Sequence, residues 1–239
     1  MLSVLSPFGE FGRAVQLQGG RLEMTSPEEA TAAVRPGVRL VYLCHPHNPT
    51  GRHLDPIRLE ALHLACQGAD ALLILDLAYA PFLGLPSPPA SDHLVCLHSP
   101  GKAHGLVGAR PAYALASPAV AAALHNLAPA WAVPAGTAAL LEVLPEAQAF
   151  LHATLPQVAR NAADLAAELA RHFEVEHHGT PYLTVRVQNA ARVAADLLGK
   201  GLKVRDCASY GLPDHIRVSA RRPGENARLI QSLQEVAHG

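Results

Sequence analysis

Lysine is nearly missing from this 239-residue chain: Lys102, Lys200 and Lys203 are all it has, and its other basic side chains are arginines. Charge of either sign is scarce too. Charged residues make up 16%, and the net charge is −1. No basic stripe runs along the sequence, which argues against nucleic acid as the main partner. Four cysteines, Cys44, Cys66, Cys96 and Cys207, are scattered without a CxxC pair, so the spacing indicates neither a zinc cage nor a redox couple. No apolar run is long enough to span a bilayer and no secretory leader is recognisable. The expectation is a soluble cytoplasmic protein without a membrane partner. Repeats and low-complexity tracts are also absent. Apolar residues reach 49%, enough for one large core or for a large and a small domain.

The first part of the chain alternates strand and helix signals. "RLVYLC" (39–44), "ADALLILD" (69–76), "DHLVCLHS" (92–99) and "AYALAS" (112–117) read as strands. The second is apolar on both faces, as a strand covered on both sides must be. "DPIRLEALHLACQG" (55–68) opens as a helix should, with Asp55 at the cap and Pro56 at the first position. "PAVAAALHNL" (118–127) is a second helix. Such alternation predicts an α/β fold, a mostly parallel sheet with helices on both faces. From 145 to 173 a long helical stretch follows, with a bend expected near Pro156. Beyond it come the strands "YLTVRV", "LKVRD" and "HIRVSA", the helix "ARVAADLLGKG" and a last helix from about Pro223. This second pattern predicts a small α+β domain, with residues 1–144 forming the large domain and 145–239 the small one.

Chemistry-bearing residues gather where the first strands end, the edge at which open α/β sheets hold ligands. His45-Pro46-His47-Asn48-Pro49-Thr50-Gly51 follows the first run, Asp76-Leu77-Ala78-Tyr79 the second, and Ser99, Lys102 and Arg110 the third. A lysine amine can form an imine, which an arginine cannot. Pyridoxal phosphate needs such a lysine, an acid to keep its pyridine nitrogen protonated, partners for its ring hydroxyl, and hydroxyl and guanidinium groups for its phosphate. Taken singly, each motif has an ordinary reading: N-P-T-G as a turn, Asp76 as a cap, Lys102 as a surface charge. Their order and spacing carry the signal. The series N-P-T-G, D-x-A-Y, S-x-x-K and G-x-R resembles that of the class I/II, fold-type I pyridoxal-phosphate aminotransferases. The resemblance implies that Asn48 and Tyr79 face the ring hydroxyl and Asp76 pairs with the pyridine nitrogen. It implies that Lys102 carries the cofactor and shuttles a proton, and that Ser99 and Arg110 hold the phosphate.

"KVRDCASYGLPDHIRVSARRPGEN" puts Arg205 and Arg217 on neighbouring strands. This is similar to the histidinol-phosphate aminotransferases and the threonine-phosphate decarboxylases of cobalamin synthesis. In both, the matching arginines grip the anionic end of the substrate. Gly101 before the lysine, "APAWAVPAG" (128–136) and "VRDCASY" lean toward the decarboxylase. "VLSPFGEFGRAVQLQGG" (4–20) resembles the family's P-x-Y-x-x-Y segment and makes Phe8 the ring-stacking aromatic. The N-terminal portion that carries the family's entry arm, first helices and phosphate-binding loop is missing from the sequence, so the resemblance covers about two thirds of a usual member. Other departures are His45 and His47 around the turn, Leu77 in place of Glu, and Pro181 where Asn often follows Thr. His45 and His47 at i, i+2, like His177-His178, lack further ligands, so no metal site is expected.

The expectation is a pyridoxal-phosphate aminotransferase acting on an amino acid or amino-alcohol phosphate, a small-molecule enzyme working as a homodimer. Threonine-phosphate decarboxylation is the alternative chemistry: loss of a Cα proton leads to transamination, loss of carboxylate to decarboxylation. A shortened homologue that has lost catalysis and kept a binding or assembly role is the alternative of another class. A start codon assigned too late is a third reading.

Overall fold

β4 (Leu72–Asp76) has no exposed position, and Leu73 and Leu75 are completely buried. Each such leucine contributes roughly 1.5–3 kcal/mol relative to an exposed one. The strand lies inside a six-stranded sheet whose other members are β1 (Leu2–Val4), β2 (Glu23–Thr25), β3 (Leu40–Cys44), β5 (Leu94–His98) and β6 (Tyr113–Leu115). Their order is β2-β1-β3-β4-β5-β6, parallel throughout except for β6, which runs antiparallel to β5. The computed structural model that shows this describes residues 1–238. The chain divides into two compact units, one of residues 1–47 and 53–152, the other of residues 48–52 and 153 onward.

In the first unit the helices are α1 (Gly9–Leu17), α2 (Ala30–Ala33), α3 (Pro56–Gly68), α4 (Ala80–Leu83), α5 (Pro118–Leu127) and α6 (Ala135–Val143). The Asp55 carboxylate accepts the Arg58 N–H at 2.8 Å, so α3 begins where Asp-Pro predicts. Ser117 caps α5 in the same way, accepting from the Val120 N–H. Leu62 and Cys66 of α3 join Val41, Leu43, Leu73, Leu75 and Leu94 in the core. The helix expected over 145–173 is a 3₁₀ turn, Leu144–Ala147, followed by α7 (Gln148–Leu169), which continues through Pro156.

The second unit has its own sheet, in the order β7-β8-β10-β9 and antiparallel throughout: β7 (Val175–Glu176), β8 (Tyr182–Arg186), β9 (Arg205–Asp206) and β10 (His215–Ser219). α8 (Ala190–Gly199) and α9 (Pro223–His238) complete it. Ala162, Leu165, Ala166 and Leu169 of α7, spaced i, i+3, i+4 and i+7, present one buried stripe. Leu183, Val185, Ile216 and Val218 supply the sheet side of the same core. The strand expected at 202–206 pairs only at Arg205 and Asp206, because Leu202 closes α8 by donating its N–H to the Leu197 carbonyl.

The short segment 48–52 is fastened within the second unit. Gly51 has φ +82°, and a Cβ there would sit 2.8 Å from Thr180 Oγ1 and 3.3 Å from His178 Cβ. Arg52 pairs with Glu176, whose carboxylate also meets His178 Nε2 at 3.0 Å.

Two predictions follow from this packing. Gly51→Ala adds both left-handed strain and a contact too short to keep. It should destabilise the protein by about 1–3 kcal/mol, read as a lower urea midpoint with an unchanged slope. His45 is 3% exposed; burial, helped by the charge of His53, pushes its imidazole down from 6.5 to about 4. The folded state therefore binds the His45 proton less readily than the unfolded chain does. The stability this histidine contributes is complete above pH 6.5 and is lost as pH falls toward 4, a difference of about 3 kcal/mol. Urea titrations at pH 7 and pH 5 should show about 2 kcal/mol of that loss in the parent, and a smaller one in His45→Asn.

Candidate active site

β3 and β4 finish level and β5 one residue further: Cys44 lies opposite Asp76, and Asp76 opposite Leu97, the residue before the end of β5. The His45 N–H still bonds the Asp76 carbonyl, and the Leu77 N–H the Leu97 carbonyl, both at 2.8 Å. The ladder thus holds to the last residue, and Asp76 is delivered at the sheet's carboxyl edge. Its carboxylate is held at both oxygens. The Tyr42 hydroxyl donates to Oδ2 at 2.8 Å and the Ala78 N–H to Oδ1 at 3.0 Å. A carboxylate has about four lone-pair sites, so capacity remains for an external donor. Asp76 is half-buried, and Tyr79, at the start of α4, is half-buried close by in sequence.

Lys102 sits in the turn that follows β5. Its N–H bonds the Ser99 carbonyl at 3.0 Å, and the His104 N–H and ring Nδ1 both donate to the Pro100 carbonyl at 3.0 Å. Gly101 is the residue that fits between them: a Cβ there would lie 3.0 Å from the Leu106 carbonyl oxygen and 3.2 Å from Pro111 Cδ. The Lys102 ammonium reaches over the Tyr79 ring, 5.6 Å from its centroid. Ser99 is half-buried, whereas Arg110 is exposed, with φ +50°. Phe8 precedes α1 with half its ring exposed, and it is Phe11, one turn on, that stacks on Tyr42 at 4.2 Å.

In the second unit Arg205 and Arg217 face each other across β9 and β10. Arg217 donates to the Asn48 side-chain oxygen and lies over the Tyr182 ring at 5.4 Å. Its Nε is buried without a partner, as is Thr184 Oγ1 opposite it on β8. A buried guanidinium donor and a buried hydroxyl without partners, on facing residues of β10 and β8, are exceptions among buried polar groups. Arg205 is exposed, 3.4 Å from Ser209 Oγ and 5.9 Å over the Tyr210 ring.

Sequence reasoning missed Tyr42 and His98. Tyr42 reads as one more apolar strand residue, and its partner is 34 positions away. His98, the last residue of β5, stacks on Tyr113 at 4.8 Å. Burial holds its imidazole below the ordinary histidine range, while the Asp76 carboxylate acts in the opposite direction. His45 and His47 are each engaged with backbone, Nδ1 of the first by the Leu54 N–H at 3.4 Å and Nε2 of the second by the Ser6 carbonyl at 2.9 Å. Among the described residues no group of three or more His, Cys, Asp or Glu is placed to hold a metal ion, and no helix is long and apolar enough to cross a membrane.

Known proteins resemble this chain in sequence and in fold. The histidinol-phosphate aminotransferase 1 of Thiobacillus denitrificans is 32% identical over 224 residues, covering 87% of this chain and 56% of that protein. The chain thus spans little more than half of that relative's length. The crystal structure of histidinol-phosphate aminotransferase from Sinorhizobium meliloti in complex with pyridoxal-5'-phosphate superposes with a TM-score of 0.87 at 26% identity, over 100% of this chain and 70% of that one. L-threonine-O-3-phosphate decarboxylase from Porphyromonas gingivalis has the same fold, with a TM-score of 0.89 at 22% identity, over 100% of this chain and 77% of that one. The family model for aminotransferase class I and II matches residues 16–233. With its mostly parallel sheet and small antiparallel second sheet, the chain belongs to the class I and II aminotransferase family.

Proposed function

We propose that the protein is a pyridoxal-phosphate-dependent aminotransferase acting on an amino acid or amino-alcohol phosphate, of the histidinol-phosphate type. One observation carries the reading. An imine-forming amine, a doubly anchored carboxylate and a phenol follow adjacent parallel strands at one sheet edge, and the amine lies over the phenol ring. This donor set fits the cofactor. Asp76 has lone pairs to accept a protonated ring nitrogen, Lys102 offers the amine for attachment, and Tyr79 and Asn48 offer partners for the ring hydroxyl. Ser99 and Arg110 are the proposed phosphate partners and Phe8 the proposed stacking ring. When bound, pyridoxal phosphate supplies a protonated ring that takes up the electron pair released at the substrate Cα.

The side chains divide the remaining work. Asp76 keeps the proton on the ring nitrogen by placing a negative charge beside it. Lys102 would hold the cofactor through its amine and, when that amine is free, would carry a proton at Nζ between carbon positions. Arg217, with an unpartnered Nε, and Arg205 grip the substrate's anionic end. By analogy with the family, the working form is a homodimer.

The attachment point is open to direct test. Incubation with pyridoxal phosphate followed by borohydride should fix one label, and peptide mapping should find it on Lys102. Label on Lys200 or Lys203 instead would remove the basis of the proposal. Turnover of histidinol phosphate, threonine phosphate and glutamate by the parent then separates the chemistries, because carbon dioxide release from threonine phosphate would replace transamination with decarboxylation.

Arg217→Ala removes a charge-assisted contact of about 1.5–3 kcal/mol. It should weaken the phosphorylated substrate roughly 10- to 150-fold while changing the cofactor titration much less. Equal affinity for substrate in parent and variant would reject the proposed grip.

A further inference from the structure

We infer that Tyr42, on β3, is a positioning residue for Asp76, fixing the plane in which that carboxylate meets the cofactor's ring nitrogen. The inference rests on the cofactor reading above and adds to it a residue whose only link to the proposed site chemistry is the acid. Three features carry it. First, Tyr42 is 1% exposed, and its hydroxyl lies 2.8 Å from Asp76 Oδ2. Second, its ring cannot drift: Phe11 of α1 stacks on it with centroids 4.2 Å apart and planes 23° from parallel. Third, the other oxygen of Asp76 is held independently by the Ala78 N–H. A carboxylate fixed at one oxygen can still turn about its Cβ–Cγ bond, whereas one fixed at both cannot. Tyr42 therefore converts a tether into a clamp.

Electrostatics keep the clamp one-directional. Burial first, then the neighbouring Cys44 and Asp76, push the Tyr42 phenol far above its ordinary range. The hydroxyl is thus held in its protonated form and donates to Asp76 Oδ2. The donor also comes from a strand next to the acid's own. Tyr42 lies opposite Ile74, two residues before Asp76, so the reach is set by the sheet register rather than by a loop.

Tyr42→Phe tests this because it keeps the ring, the Phe11 stack and nearly all the volume. A cooperative melt establishes that the variant folds. In crystals grown without cofactor, the Asp76 carboxylate should keep one orientation in the parent and rotate, or occupy two, in Tyr42→Phe. An unrotated carboxylate in the variant overturns the inference whether or not the protein uses pyridoxal phosphate. In protein loaded with ring-¹⁵N pyridoxal phosphate, the nitrogen resonance should move from the protonated toward the free-base position in the variant. The rate of cofactor release should rise about 10-fold or more, as expected for a lost hydrogen bond to a charged group. An unchanged resonance and release rate would also overturn it. If the cofactor attaches elsewhere than Lys102, the cofactor reading fails on its own, and the cofactor-free crystals still decide whether Tyr42 orients Asp76.

Discussion

The candidate site depends on the register that fixes where β3, β4 and β5 reach the sheet's carboxyl edge. Because Leu73 and Leu75 are completely buried while Ile74 and Asp76, on the other face, are only half-buried, a slip by one residue would turn the leucines off the core and carry Asp76 to the other face. The register that saves the leucines is the same register that sets Cys44, Asp76 and Leu97 level. Packing energy, which has no chemical preference, thereby fixes the place of a carboxylate to within a residue. The turn after β5 and the start of α4 then need only short excursions to bring in Lys102 and Tyr79.

This explains which parts of the molecule can be read from the sequence. β3, β4 and β5 announce themselves as apolar runs, α3 by its Asp-Pro cap and α5 by its helical run, because those signals are local and dense. β1 and β2 have three residues each, too few for any period to emerge. β9 looked longer than it is, since Leu202 and Val204 alternate like strand residues while the chain there is still finishing α8. The acid, lysine and phenol of the candidate site could be named from motif order. The hydroxyl that orients the acid was not, because hydrogen bonds across a sheet leave no mark on spacing along the chain.

The two units handle polar groups in contrasting ways. Around Asp76 each carboxylate oxygen has a protein donor, and the tyrosine that supplies one is itself stacked and buried. Around Arg217 one nitrogen is committed to Asn48 while Nε and the neighbouring Thr184 hydroxyl lack partners. Satisfied groups make a rigid fixture, and unsatisfied ones a place where a ligand gains more than water would give.

Residues 48–52 belong to the second unit although the chain on either side of them belongs to the first. The second unit is therefore not a contiguous stretch of polypeptide. A fragment cut from residue 153 onward would lack the glycine that nests against Thr180, the arginine that neutralises Glu176 and the amide that meets Arg217. In evolutionary terms such a unit cannot be shuffled as a cassette. It can be inherited only with the stretch that ends β3, so the turn that follows the sheet and the fold that encloses that turn must change together.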